Sequence, residues 1–322
     1  MKDVFFSNIS DKIEAFIAYK RSCGLKYDSC HDLIALDRYA ITHGNPSSLT
    51  KELCIGFIAD RDKTNSFHYR QYIATIRSVG KFLQMSGDTD AYLLDESYQM
   101  HRYHPEAYIF TDFEMESFFN CVDNSAASHH RNKGRPIVIP AYFRFLYSTG
   151  CRTFEARRLL KKDVHLDLGY VDIINSKGYR DRRLYLTADV IEVLKTYDTE
   201  LCKIFFHREL FFPSTYDTVI SASEFRYYFN EIWDDAGLRK AYGKQPTPYS
   251  FRHHFAFTNI RRWTEHGIDV NAMLPYLMRY MGHSSLESTL YYVHNTPDFL
   301  DAYSSMTKRL DSLLPEVVPY EE

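Results

Sequence analysis

Apolar residues recur at helical spacing through the first hundred positions and again through most of the second half, with a short block of alternating positions between. Ile13, Phe16 and Ile17 follow the start signal Ser10-Asp11 in a run that ends at Gly24. A second run covers about 29–43 and stops at Gly44-Asn45-Pro46, and Thr50 can cap a short helix through Phe57. The clearest stripe (Tyr69, Tyr72, Ile73, Ile76, Val79, Leu83) predicts a helix over 66–85. Four such helices make a small bundle. Arg70, Arg77 and Lys81 lie on another side of the last helix, as a basic stripe facing either nucleic acid or water.

The stretch 88–104 is polar and aromatic with weak periodicity and reads as a linker, giving domains over 1–104 and 105–322. Thr111-Asp-Phe-Glu114 fits a capping box ahead of an apolar run. Residues 124–135 read as a loop, and Pro136 opens a strongly apolar helix through Tyr147. After Leu160 the pattern changes to short strands. Val164-His-Leu, Tyr170–Ile174 and Arg183-Leu-Tyr-Leu predict three strands joined by turns at 167–169 and 177–181. Helical signals return at Thr187 and continue to the end, apart from Leu210-Phe-Phe-Pro. Thr296-Pro297-Asp298 starts a last helix near 297–314, with Phe299, Tyr303, Met306, Leu310 and Leu313 on a narrow stripe. The expected fold class is mainly α with a small antiparallel β-sheet.

Composition narrows the chemistry. No uninterrupted apolar stretch reaches ~18 residues, so no membrane-spanning helix is expected, and the first residues lack the apolar core of a signal peptide. The six cysteines are scattered without metal spacing and read as reduced thiols of a cytoplasmic protein. The histidine pairs also lack metal spacing, and no glycine-rich phosphate loop occurs, so neither metal nor nucleotide cofactor is expected. The net charge of −3 argues against a nucleic-acid partner. Between positions 129 and 183, however, thirteen Lys and Arg stand against five Asp and Glu, enough for a local phosphate-binding face.

Candidate reactive residues collect in the C-terminal half. Arg152 and Arg252 follow two helix-adjacent turns, Lys177 sits at a turn between strands, His283 lies in Met281-Gly282-His283-Ser284-Ser285, and Tyr291-Tyr292 supplies a phenol. This set suits attack on a phosphodiester by a phenolic oxygen. Planar guanidinium forks hold the phosphate, and a lysine protonates the leaving oxygen. Taken singly, each residue has a plainer reading. Arg152 could pair with Glu155 at a helix start, Arg252 could lie on a helix surface, and Lys177 could be a turn lysine. With 26 tyrosines, a tyrosine needs a reason beyond its type.

The boxes together resemble the tyrosine recombinase (phage integrase) family. Thr149-Gly150-Cys151-Arg152-Thr153-Phe154-Glu155 with Leu159 is similar to the family's Thr-Gly-x-Arg-x-x-Glu-x-x-x-Leu box, which implies a catalytic Arg152 supported by Glu155. Tyr249-Ser-Phe-Arg252-His253-His254-Phe255 is similar to the His-x-Leu-Arg-His-x-Phe box, implying a catalytic Arg252 supported by His253. Tyr249 departs from the usual histidine, and as a phenol it would donate a hydrogen bond to phosphate without carrying protons well. The resemblance makes Lys177 the proton donor to the 5′ oxygen and Arg180 and Arg182 part of a DNA-contacting basic run. His283 becomes a phosphate ligand and Tyr292, nine residues later, the nucleophile, with Tyr291 packed inward.

The resemblance implies a recombinase acting on double-stranded DNA through a 3′-phosphotyrosine, without a cofactor, in integration or excision of a mobile element. It implies a helical core-binding domain, a catalytic domain, and a homo-tetramer on DNA (a monomer or dimer free in solution) whose tail helix packs on its own domain or a neighbour's. Two other readings share this inventory: a type IB topoisomerase-like nicking-closing enzyme, and a non-catalytic DNA-binding protein that retains the fold.

Overall fold

The computed structural model describes residues 5–25, 27, 30–61, 66–98, 107–125, 134–174, 176, 181–283, 285 and 289. The chain divides into two units, Met1–His104 and Pro105–Glu322.

In the first unit the apolar stripes fold into α1 (Ser10–Ser22), α2 (His31–Thr42), α3 (Lys51–Ala59) and α4 (Ser66–Met85), with α4 packed against the other three. Thr50 caps α3, its hydroxyl accepting from the Leu53 amide at 3.2 Å. Phe16, Leu36, Phe57 and Ile76 form the centre of this core. Each fully buried phenylalanine contributes roughly 1.5–3 kcal/mol.

The described part of the stretch read as a linker packs onto the bundle instead. Ala91 and Leu94 are buried in the bundle core, and the Tyr92 amide donates to the Leu49 carbonyl at 2.6 Å. Gly80 allows this approach, because a Cβ there would lie 2.6 Å from the Tyr92 carbonyl oxygen. A few apolar residues, main-chain hydrogen bonds and polar side chains such as Ser48 on Asp88 fasten the segment, and none of these produces a sequence period.

In the second unit, α5 (Asp112–Ser125) opens with the reciprocal cap its sequence predicts. The Glu114 amide donates to Thr111 Oγ1 at 3.1 Å, and the Thr111 amide donates to Glu114 at 3.0 Å. The next helix, α6 (Arg135–Thr149), buries residues on nearly every side, from Val138 through Thr149. It is the central element, packed against α5 and two later helices, α8 (Ala188–Cys202) and α10 (Ser250–Glu265). Phe118, Phe143, Phe251 and Trp233 build an aromatic core with Phe229 of α9 (Ala222–Asp235).

Between α6 and α8 lie the short α7 (Thr153–Arg157), a 3-10 turn at Lys161–Asp163, and strands β1 (Val164–His165), β2 (Tyr170–Ile173) and β3 (Arg182–Tyr185). The strands form an antiparallel sheet in that order, pairing Val171 with Leu184 and Ile173 with Arg182. The last described helix, α11 (Val270–Met281), starts at Asp269, whose carboxylate accepts from the Asn271 amide at 2.9 Å. The fold is mainly α with a small antiparallel sheet. The expected tail helix near 297–314 lies outside the described residues. Among the described residues, no helix is long and apolar enough to cross a membrane, and no cluster of His, Cys, Asp or Glu could hold a metal ion.

Candidate active site

The end of α11 gathers the site. Gly282 takes the left-handed conformation (φ 67°, ψ 42°) and stops the helix. The His283 amide donates to the Met278 carbonyl at 3.0 Å and the Gly282 amide to Arg279 at 3.1 Å, which satisfies two of the helix's last carbonyls. The next three, those of Tyr280, Met281 and Gly282, receive guanidinium groups. Arg182 Nε donates to the Tyr280 oxygen at 2.7 Å, Arg252 Nη2 to Met281 at 2.5 Å, and Arg152 Nη2 to Gly282 at 2.5 Å. The negative end of a helix dipole favours cations here.

Arg152 stands at the N-cap of α7 in extended conformation, just after the left-handed Gly150 (φ 58°). A side chain at position 150 would collide with Phe255 of α10, whose ring atoms lie 2.6 Å from an added Cβ. Glycine is therefore needed for this junction of α6 and α10. The Gly150 carbonyl accepts from Arg252 Nη1 at 2.9 Å, so Arg252 bridges the ends of α6 and α11. Arg252 is only 1% exposed. The surface-arginine reading is excluded for it.

Glu155, buried beneath Arg152, accepts from the Arg152 amide at 3.1 Å and from Arg152 Nη1 at 2.9 Å. It also accepts from both terminal nitrogens of Arg182, at 2.7 and 3.0 Å, and from the Ser176 hydroxyl at 2.5 Å. Burial pushes its carboxyl upward, but the hydrogen bonds and charge of Arg182, with Ser176 and Arg152, outweigh this and hold it at about 2.

His283 follows the helix stop, buried, with Nδ1 2.8 Å from the Thr289 hydroxyl. Burial first, then the charges of Arg252, Arg152 and Arg182, drive its pKa down to about 3. It is neutral at pH 7, able to share a hydrogen bond with an anion while adding no charge. His253 is likewise held at about 4 by burial, Lys244 and Arg252. Tyr249, at the N-cap of α10, is 40% exposed and meets the His253 ring edge-on at 5.0 Å. Three arginines against one carboxylate leave two positive charges in a largely buried cluster, an arrangement suited to an oxyanion.

The structure thus brings together Arg152, Glu155, Arg252 and His283, with His253 beside Arg252 and Tyr249 at the rim. Lys177, Arg180 and Tyr292 lie outside the described residues. Arg182 was expected in a DNA-contacting run, but its side chain is 6% exposed and committed to Glu155. Arg77, expected on a DNA-facing stripe, donates to the carbonyls of Asp95 at 2.9 Å and Leu94 at 3.3 Å and so ties the 94–98 segment to α4. Arg70 is half-buried, and Lys81 points to solvent. Sequence reasoning passed over Ser176. Beside the cluster opens a cavity of about 1370 Å³, lined in part by Phe255, Trp263, Leu277, Arg182 and His283.

Comparison with known proteins places this geometry. The chain is 25% identical over 303 residues to the protein y4rE of Sinorhizobium fredii, covering 91% of this chain and 93% of that one. It is 25% identical over 260 residues to the tyrosine recombinase XerD of Listeria innocua, covering 78% of this chain and 80% of that one. In fold it is similar to the Tn1549 transposon integrase in complex with transposon right end DNA (TM-score 0.63, 15% identity, 93% of this chain and 99% of that one). It is also similar in fold to the XerH site-specific recombinase in a post-cleavage complex with its difH substrate (TM-score 0.62, 18% identity, 86% and 78%). Residues 110–298, more than half of the chain and including every box of the site, match the phage integrase family. The chain belongs to that family, the tyrosine-type site-specific DNA recombinases.

Proposed function

We propose that the chain cuts and rejoins duplex DNA through a 3′-phosphotyrosine on Tyr292, in the integration or excision of a mobile element. The observation that carries this reading is the convergence of Arg152 and Arg252 on consecutive carbonyls, those of Gly282 and Met281, immediately before His283. Two guanidiniums fixed this closely can grip the non-bridging oxygens of one phosphodiester. They would gain strength as those oxygens collect charge in the five-coordinate transition state.

In the reaction the Tyr292 oxygen bonds to phosphorus as the bond to the 5′ oxygen breaks. The 5′ oxygen takes a proton from the Lys177 ammonium, and the phenol's proton returns to the lysine through solvent, so one ester replaces another without net change. Neutral His283 donates to the phosphate, and Tyr249 adds a donor at the rim. Rejoining reverses these steps with a new 5′ hydroxyl, and the phosphotyrosine conserves the ester energy. The 1–104 unit would act as a core-binding domain on DNA, with Lys81 among its phosphate contacts. Four protomers would assemble on paired sites, with the stripe of Phe299, Tyr303 and Met306 packing on a neighbour.

The test is a nicked suicide DNA substrate that loses its 5′ fragment on cleavage. A covalent adduct formed by the native chain and abolished by Tyr292→Phe supports the reading, and sequencing the trapped DNA identifies the target. No adduct on any target recovered by selection points to a non-catalytic DNA-binding protein. Relaxation of supercoils by dilute monomer, without recombinant product, points to a topoisomerase.

A further inference from the structure

We infer that Arg182 and Ser176 are positioning residues for the cleavage step, locking the position immediately before Lys177 to the phosphate-binding arginines through Glu155. The inference rests on the reading of Lys177 as the proton donor.

The alternation of β3 sends Arg182 inward on the side of Leu184, which is fully buried. Its guanidinium uses both terminal nitrogens on Glu155 and its Nε on the Tyr280 carbonyl. In this arrangement most of its donors are turned to protein acceptors. It ties β3 to α7 on one side and to the last turn of α11 on the other. Ser176 closes the same knot. Its buried hydroxyl donates to Glu155 Oε1 at 2.5 Å and lies 3.4 Å from nitrogens of both Arg152 and Arg182. One carboxylate thereby joins three separate segments directly and the end of α11 through Arg182.

Ser176 is bonded to Lys177, so fixing the Ser176 hydroxyl holds the lysine Cα within about 3.8 Å of a pinned Cα. A proton donor must sit within hydrogen-bond reach of the leaving oxygen, and a displacement of about 1 Å costs on the order of 100-fold. Arg182 also occupies both oxygens of Glu155. The Arg152 guanidinium is then left with a single contact there and a second on Gly282, a splayed pose that keeps its fork on the phosphate side. Without Arg182 the carboxylate could take Arg152 in a two-pronged pair and draw it off the phosphate.

The experiment is single-turnover cleavage of the suicide substrate in two forms, with an ordinary 5′ oxygen and with sulfur in the bridging 5′ position. Sulfur leaves without a proton, so a defect in proton delivery disappears on that substrate and a general disruption does not. Lys177→Ala should lose about 100-fold or more on oxygen and return to near the native rate on sulfur. Ser176→Ala, which leaves both arginine contacts to Glu155 in place, should lose about 10-fold on oxygen with the same recovery. Arg182→Lys should lose on both substrates through the shift of Arg152 and about 10-fold more on oxygen than on sulfur, and thermal melting separates it from misfolding. The inference fails if Lys177→Ala is rescued by sulfur while Ser176→Ala and a folded Arg182→Lys lose nothing, or lose equally on both substrates. Failure of sulfur to rescue Lys177→Ala removes the parent reading of the lysine and this inference with it.

Discussion

A Cβ on Gly282 would lie 3.2 Å from Nη1 of Arg152 and 3.1 Å from Nη1 of Arg182. The absence of a side chain is what lets two guanidiniums close over the end of α11. The residue also holds φ at 67°, which costs other residues about 1–2 kcal/mol. Gly282→Ala should therefore lower stability by roughly that amount, and urea titration would measure it. Single-turnover cleavage should fall further than stability alone explains, because the displaced arginines are those placed on the phosphate.

Acid should unfold the second unit in two stages. His253, His254 and His283 have folded pKa values near 4, 4 and 3, below the ordinary histidine value of about 6.5. From pH 6.5 downward the unfolded chain takes up protons that the folded chain refuses, so stability declines. Glu155, held at about 2, contributes stability that is complete above about pH 4.5 and is lost as pH falls toward 2. Urea midpoints from pH 8 to 4 should be flat above about 7 and fall below 6.5. His254 stacks on Tyr147 at 5.5 Å, and His254→Phe should remove its share of the slope. A midpoint unchanged between pH 7 and 5 would contradict the assignment.

Tyr249→Phe separates a phosphate donor from a packing residue. The ring is 40% exposed, so losing its hydroxyl should change stability by less than about 0.5 kcal/mol. As a donor at the rim of the site, the hydroxyl should be worth up to about 100-fold in the cleavage step. Equal rates for the two proteins would reduce Tyr249 to a ring packed on His253 at the start of α10.

Arg77 and Lys81, one turn apart on α4, should behave in opposite ways. Arg77→Ala removes the donor to the Leu94 and Asp95 carbonyls and should destabilise the first unit by about 1–3 kcal/mol, read as an earlier step in denaturant. Lys81→Ala should leave stability alone, weaken DNA binding, and lower the salt slope of affinity by about 1.

How legible was this in the sequence? Elements with a physical start and stop were read closely. The stripe from Tyr69 to Leu83 gave α4 its observed span, and the Thr111–Glu114 pair capped α5 as its spacing implies. Arg152, Arg252 and His283 were found through their boxes, and their convergence needed tertiary structure. Arg182 was misplaced because the resemblance groups it with Arg180 in a basic run on DNA. Counting two residues back from Leu184 along β3 would have turned it inward. Ser176 carried no signal at all, since a hydroxyl matters here only through a carboxylate 21 residues earlier in the chain. The 88–98 segment misled for a similar reason, its attachment running through Gly80 and main-chain groups.

Three arginines of the site anchor themselves on main-chain oxygens, those of Gly150, Tyr280, Met281 and Gly282. Every amino acid offers the same peptide oxygen, so these anchors need no particular polar side chain. Met281 is buried and Tyr280 stacks on Phe255, but exposed positions of α11 such as Tyr276 are free to vary without loosening the grip on the scissile group. Such a chain could acquire new contacts along that helix, and with them new neighbours or target sites, while its chemistry passes through unaltered.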